Sequence, residues 1–339
     1  LRHFGTVENA WIASHPELRV AGLSDAVANR FVEERKNIHP PQELEMMQRA
    51  RVTCALYSSP QYPTSLGQLY DAPFILYVRG RLPENWSRAL AVVGTRKLTA
   101  YGMQITAPII ADLIRFESII VSGLAIGIDA LAHTAALDAG GVTIAVLGGG
   151  VDRATVGPRQ NYLLAESIVT HGGALISEYP VHARPNKSSF PQRNRIIAGL
   201  SRGVLVIEAP QASGSLITAK IALDENREVF AVPGSITNPS ARGSNSLIQR
   251  GAHVALSGSD VAEVLQFSEG ASRGREVSGP ALTDTEQMLY SLVTADPLHA
   301  DELARTAKLD IGETLRTLVL MELKGCIAQV GPLQYVRSW

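Results

Sequence analysis

Ser118-Ile119-Ile120-Val121, then Ser122-Gly123-Leu124-Ala125, then a helical pattern from Ile128 to Ala139: this stretch decides the fold. The first segment is short, apolar and rich in β-branched residues, which suit a pleated strand. It lacks in/out alternation, as expected of a strand buried on both faces. A turn of small residues follows, and then a helix.

The unit repeats in both directions. Similar runs stand at Ala89–Val93, Val142–Leu147, Gly173–Ser177, Gly203–Ile207, Glu228–Val232 and His253–Leu256, with helical patterns at Gly102–Phe116 and Ile217–Asn226. Such alternation predicts an α/β domain: a doubly wound, mostly parallel Rossmann-like sheet with helices on both faces. Val52–Tyr57 and Phe74–Val78 are expected to extend the sheet or pack at its edge, so the domain is placed at 51–267.

The flanks read differently. Residues 1–50 are short helices broken by Pro and Gly, with an N-capped helix from Asp25, a helix-hairpin-helix remnant or a helical cap. The opening Leu1-Arg2-His3-Phe4 has no initiator methionine or signal peptide, as if the chain began inside a domain. Residues 268–280 are rich in Gly, Ser and Arg and read as a linker. Within 281–339, Thr283–Thr294, Ala300–Leu309 and Ile311–Lys324 predict three helices before a terminal ribbon, the winged-helix pattern. This segment has eight acidic and five basic residues, a balance of −3, and Glu313, Arg316, Glu322 and Lys324 on its third helix sum to zero. A groove-reading helix needs a basic face, so a protein contact or a structural role is expected instead.

Bulk properties narrow the classes. The 339 residues are 45% apolar and 19% charged, enough for a large core and two or three domains. No run of 18 uninterrupted apolar residues exists to span a membrane. Cys54 and Cys326 are far apart in sequence, which argues against a thiolate metal cluster and for a reducing, cytoplasmic setting. The net charge of −1 argues by itself against a nucleic-acid binder, but a neutral total can hide a local basic surface.

Ligands of doubly wound sheets lie beyond the carboxyl ends of the strands. Small residues crowd those ends here: Gly94-Thr95-Arg96, Ser122-Gly123-Leu124-Ala125, Gly148-Gly149-Gly150, and Ser213-Gly214-Ser215. Glycine lets backbone amides approach an oxyanion, and the following helix offers its positive end. The turns at 94–102, 122–128 and 213–217 together predict a phosphate-binding rim, to which Arg96 adds a cation. Each could equally be a tight turn and nothing more. No GxxxxGK[ST] is present, and Gly148-Gly149-Gly150 does not complete GxGxxG, so no ATP or NAD cofactor is expected. Asp129 and His133 could pair as acid and base, or Asp129 could favour the helix N-terminus while His133 packs on the sheet. No other catalytic set and no metal set stands out.

The segment from Tyr179 to Gly203 is the most informative. It holds Arg184, Lys187, Arg193, Arg195 and Arg202 and no acid, a local +5. A single strand needs cations for phosphates and a ring to stack a base, and Phe190 supplies the ring among these cations. Alternatively Phe190 anchors the loop in the core, and Arg193 or Arg195 pairs with Glu178 or Glu208.

In these residues the chain resembles the DNA-processing protein A (DprA, or Smf) family. The blocks are Gly94-Thr95-Arg96, Ser122 to Asp129 with His133, Phe190-Pro191-x-Arg193-Asn194-Arg195-Ile196-Ile197, Ser213 to Ala219, Val232-Pro233-Gly234 and Gly243-x-Asn245-x-Leu247-Ile248, in order from about Tyr62 to Asp260. The resemblance implies binding of incoming single-stranded DNA in natural transformation, help in loading the RecA recombinase, and a homodimer formed through the Rossmann-like domain. It places Gly94, Thr95, Arg96, Ser122, Gly123, Leu124, Ala125, Lys187, Phe190, Arg193, Asn194, Arg195, Ser213, Gly214 and Ser215 on the strand-binding pocket. Asp152–Asn161 departs from the family pattern, lacking its aromatic before the proline, and the N-terminal module starts late.

Two other readings stand beside it. Related phosphoribohydrolases place a catalytic Glu after the phosphate loop, where this chain has Ala219 and Lys220 and no acid before Asp224. That argues for binding over hydrolysis, with Glu178 and Glu208 as the remaining substitutes. A winged-helix regulator of duplex DNA is disfavoured by the acidic C-terminal segment.

Overall fold

The apolar runs become the strands of one nine-stranded sheet. They are β1 (Thr53–Leu56), β2 (Ile75–Gly80), β3 (Ala89–Val93), β4 (Ile119–Ser122), β5 (Thr143–Val146), β6 (Ala174–Ser177), β7 (Gly203–Val206), β8 (Glu228–Ala231) and β9 (His253–Val254). In the computed structural model, which describes residues 3–57, 59–269, 282–294 and 297–337, the order is β1-β2-β6-β5-β4-β3-β7-β8-β9. Strands β3 to β9 pair in parallel. The two extra runs extend the sheet as an antiparallel edge, β1 on β2 and β2 on β6. Gly80 permits the β2–β6 contact: its φ is +112°, and a Cβ would lie 2.3 Å from the Gly173 carbonyl oxygen.

Alternate residues of the central strands face two apolar layers, which is why the sequence shows no polar alternation. Ala89, Ala91 and Val93 share a core with Ile196, Ile197, Leu200, Ala219 and Ala222. Leu90 and Val92 share the opposite core with Ile109, Ile110, Leu113, Ile128 and Ala132. Truncating a fully buried member such as Leu113 to alanine typically costs about 2–5 kcal/mol.

The winding sets the position of the site. From β3 the chain winds outward through β4, β5 and β6, then returns to β7 on the other side of β3. Their carboxyl ends therefore open a crevice where the winding reverses, the usual seat of a ligand in such sheets.

Two compact units are present, Leu1–Val52 and Thr53–Trp339. The first holds helices Val7–Ile12, His15–Val20, Asp25–Glu34 and Pro40–Arg49, with a small core of Ala13, Leu18 and Ala28 against which Phe4, Leu23, Phe31 and Val32 pack. Ser24 caps the third helix, accepting from the Val27 amide at 3.4 Å. In the second unit, helices Asp284–Leu292, Ala300–Ala307 and Ile311–Leu323 form a winged helix with strands β10 (Leu298–His299), β11 (Ile327–Gly331) and β12 (Gln334–Arg337). β10 is too short to have been visible in the sequence. Leu289, Leu303, Leu318, Met321 and Tyr335 form its core, and Lys324 Nζ meets the buried Glu286 carboxylate at 2.6 Å. The linker expected at 268–280 lies, from residue 270 onward, outside the described residues.

Candidate nucleic-acid interface

The crevice is a cavity of about 650 Å³ whose lining includes Gly94, Thr95, Arg96, Ala125, Phe190, Arg193, Asn194, Ser213, Gly214 and Ser215. Three separate turns meet there, for local reasons. At the end of β3, Gly94 has no room for a Cβ, which would stand 2.6 Å from the Ile128 side chain. The Thr95 amide donates to the Glu208 carbonyl at 2.7 Å, carrying the β3–β7 pairing one step further. Arg96 then leaves the sheet into solvent, and its guanidinium carbon lies 5.8 Å from the centroid of the Phe190 ring.

Phe190 lies in the first turn of the Ser189–Leu200 helix. The Asn186 side chain starts that helix, accepting from the Ser188 and Ser189 amides at 2.9 Å. Phe190 is half-buried. It borders both the main cavity and a neighbouring cleft of about 250 Å³, so it forms a ridge between them rather than a core anchor. Across the main cavity the Gly214–Asp224 helix begins, capped by Ser213, whose hydroxyl accepts from the Ser215 amide at 3.3 Å. A Cβ on Gly214 would meet nothing within 4 Å, so the positive end of this helix is open to a ligand. Asn194 Nδ2 reaches the Gly214 carbonyl at 3.5 Å.

The 122–125 turn departs from the expected phosphate rim. The amides of Gly123 and Ala125 donate to Asp129 Oδ2 at 3.1 and 3.4 Å, so the protein's own carboxylate takes the place of an external anion. Ser122, Gly123 and Leu124 are buried, and only Ala125 reaches the main cavity. Arg193 lies beneath this turn, 4% exposed. Its Nη1 donates to the Gly123 carbonyl at 2.7 Å and also to Val146 O. Burial pulls its pKa down to about 10 while Asp129 holds it up. Burial likewise raises the Asp129 pKa against the pull of Arg193 and the two amides.

The basic segment is divided by the fold. Arg195 pairs with Asp71 at 2.8 Å and Glu178 at 2.6 Å and does not line the main cavity. Arg202 directly precedes β7, at the amino edge of the sheet. Arg184 and Lys187 remain exposed in the loop before the helix, and Lys187 borders neither cavity. Of the five cations, then, one braces the turn, one is paired, one is at the wrong edge and two face solvent near the rim.

The possible acid–base pair resolves into packing. His133 is fully buried, and its Nδ1 lies 2.6 Å from Thr143 Oγ1. That hydroxyl already donates to the Ile120 carbonyl at 2.8 Å, so it accepts from His133, and Nδ1 carries the proton. Burial lowers the His133 pKa to about 3, leaving the ring neutral. Glu208 is 1% exposed and receives the Thr99 hydroxyl at 3.0 Å and Asn238 Nδ2 at 3.3 Å. Among the described residues no three His, Cys, Asp or Glu side chains are placed to hold a metal ion, and no helix is long and apolar enough to cross a membrane.

Sequence reasoning passed over the roles of Asp129, Asn186 and Gly148-Gly149-Gly150. The Asn-x-Ser-Ser spacing at 186–189 was the available signal for the first helical turn. The glycine run was counted among the small-residue strand ends and weighed as a dinucleotide fingerprint, but not among the turns expected to hold phosphate; it lines the smaller cleft.

Comparison with known proteins places the chain in a family. A family model described as DNA recombination-mediator protein A matches residues 53–266, and one described as the DprA winged helix domain matches 274–331. The chain is 36% identical to protein Smf of Synechocystis, across 99% of this chain and 93% of that one. It is 39% identical to protein Smf of Escherichia coli, across 96% and 89%. Among solved structures it is similar to DNA processing protein A from Streptococcus pneumoniae, with 38% identity, a TM-score of 0.65, and coverage of 75% of this chain and 86% of that one. It is also similar to DNA processing protein A from Helicobacter pylori, whose structure is described as giving a unique single-stranded DNA binding mode (27% identity, TM-score 0.56, 63% and 95% covered).

Proposed function

The chain belongs to the DNA recombination-mediator protein A (DprA/Smf) family, and on that premise we propose that it binds single-stranded DNA in the crevice between the ends of β3 and β7. The observation that carries this reading is the exposed Arg96 guanidinium set against the half-buried Phe190 ring at the mouth of the main cavity. Arg96 meets a phosphate. The ring stacks a base, a contact worth ~1–3 kcal/mol that duplex DNA, with its bases already stacked, does not offer. The open end of the Gly214–Asp224 helix takes a second phosphate, and Lys187 steers the strand from the rim.

Binding occurs without catalysis. Both acids that could have replaced a catalytic Glu are engaged, Glu178 with Arg195 and Glu208 with Thr99 and Asn238. In keeping with its family, the protein acts in the cytoplasm in recombination or natural transformation, as a homodimer that helps load the RecA recombinase onto the strand. The test is a salt-dependent titration against single- and double-stranded DNA of equal length. Tighter single-strand binding is expected, and equal affinity for the duplex overturns the reading. RecA loading is checked separately, by the rate of RecA filament nucleation with and without the protein.

A further inference from the structure

Buried carboxylates are usually paired with a cation, and Glu208 is not. It is 1% exposed, and among the described residues its carboxylate is held by neutral groups. The Thr99 hydroxyl donates to both of its oxygens at 3.0 Å, and Asn238 Nδ2 donates to Oε1 at 3.3 Å. Thr99 also caps the Ala100–Arg115 helix, accepting from the Gly102 amide at 3.1 Å. The carboxylate therefore stands behind the positive end of a 16-residue helix, which eases the burial of its charge. The approach is close: a Cβ on Gly102 would stand 2.9 Å from Glu208 Oε2.

These bonds join two parts of the wall of the main cavity. Glu208 holds the Arg96 segment at both ends, since its backbone carbonyl accepts from the Thr95 amide at 2.7 Å and its carboxylate takes the Thr99 hydroxyl. Thr95, Arg96 and Lys97 line the cavity, and so do Pro239 and Ser240 from the loop after β8. That loop is fastened at its start. The Tyr101 hydroxyl donates to the Pro233 carbonyl at 2.7 Å, and the Asn245 amide brackets the Gly234 backbone at 2.9 and 3.1 Å. Its tip is bare, with Ile236 87% exposed. Among the described residues, the Asn238–Glu208 bond is the one hydrogen bond from residues 235–238 to anything outside the loop. The Asn238 amide is oriented for it, because its Oδ1 accepts from the Ser240 amide at 2.9 Å.

Resting on the single-strand reading, we propose that Glu208 is a positioning residue for the crevice: its carboxylate clasps the segment carrying Arg96 to the loop carrying Pro239 and Ser240, and so sets the gap in which the strand lies. Glu208 does not itself line the cavity, so it acts through these two segments. Hydrogen bonds to a charged acceptor are shorter and stronger than neutral ones, which suits an acid to holding an exposed loop tip. With the clasp open, the loop has to be ordered each time a strand binds, and that cost weakens the affinity.

The test opens the clasp and rebuilds it in reverse. Asn238→Asp sets two carboxylates against each other. Adding Glu208→Gln to it restores the bond, with the new glutamine amide donating to the new aspartate and the overall charge unchanged. Asn238→Ala opens the clasp without adding a charge and leaves the buried acid in place. Melting curves confirm that each variant folds. Affinity is read by titration with an oligothymidylate, and loop order by hydrogen exchange at residues 234–241 in the absence of DNA. Both Asn238 variants should bind roughly tenfold more weakly, about the worth of one hydrogen bond, and exchange faster in the loop. The double variant should regain most of both losses, which a general packing defect would not do. If Asn238→Asp and Asn238→Ala bind as tightly as the wild type, or if the double variant is no better than Asn238→Asp alone, the clasp is overturned and the single-strand reading stands. If the wild-type protein binds no single strand, both fall.

Discussion

The Arg193 guanidinium donates to the carbonyl oxygen of Gly123 at 2.7 Å, and this bond turns a residue of the basic segment into a brace. With Asp129 on the amides of the same turn, it fixes the backbone between β4 and the following helix. Arg193→Ala leaves the buried carbonyl oxygens of Gly123 and Val146 without their donor, a loss of about 1–3 kcal/mol. Urea unfolding should show it. A loss below ~1 kcal/mol would return Arg193 to the surface.

Arg96→Ala should do the reverse. Its side chain is exposed, so stability should change by less than ~0.5 kcal/mol. Binding of single strands should weaken across sequences, with the salt slope flattened by ~0.7, the yield of one released counterion. Lys187→Ala should flatten the slope similarly if the rim loop follows the strand. Slopes unchanged in both variants would move the phosphate path elsewhere.

Phe190→Ala separates stacking from charge. Affinity should fall by ~1–3 kcal/mol at a nearly constant salt slope, because stacking displaces no ions. Fluorescence titrations at several salt concentrations, run beside thermal melts, read both quantities. A variant that melts early yet binds normally would place the ring in the core.

His133 gives the fold an acid sensitivity of defined sign. Its pKa is near 3 in the folded protein, against an ordinary value of 6.5. Between those values the unfolded chain binds a proton that the native chain does not. The contribution is complete above pH 6.5 and is lost as pH falls toward 3, up to about 5 kcal/mol across the window. His133→Asn, whose amide can still donate to Thr143, should flatten the stability–pH curve there. A variant curve parallel to the wild-type one would remove His133 as the source.

A chain ending near residue 278, without the acidic winged helix, should keep single-strand affinity within tenfold, about 1.4 kcal/mol. A larger loss would make the module a DNA contact despite its charge balance.

How much of this was legible in the sequence follows from what each signal measures. Runs such as Ile119-Ile120-Val121 report strand position directly, because a strand buried on both faces must be apolar at every residue. The turns at Gly94 and Ser213 were legible as well, since chain order and winding bring them together. Individual side chains were less so. Arg193 and Arg195 are two residues apart, which on a helix puts them on nearly opposite sides, and charge alone cannot tell the brace from the paired cation. Arg202 belongs to the other edge of the sheet because the whole Ser189–Leu200 helix intervenes. The 122–125 turn did have anion-holding amides, but their anion was six residues away in the same chain at Asp129.

That internal carboxylate has a consequence for competition. A turn filled from within offers no seat to the phosphate of a free nucleotide, so abundant mononucleotides meet only scattered footholds and gain little from any one of them. A polymer would differ under the proposed reading: with one phosphate seated at Arg96, the next units would arrive at high effective concentration, and weak contacts would multiply. On the proposed single-strand reading, a protein that occupies its own loop would favour long strands over the monomers from which they are made.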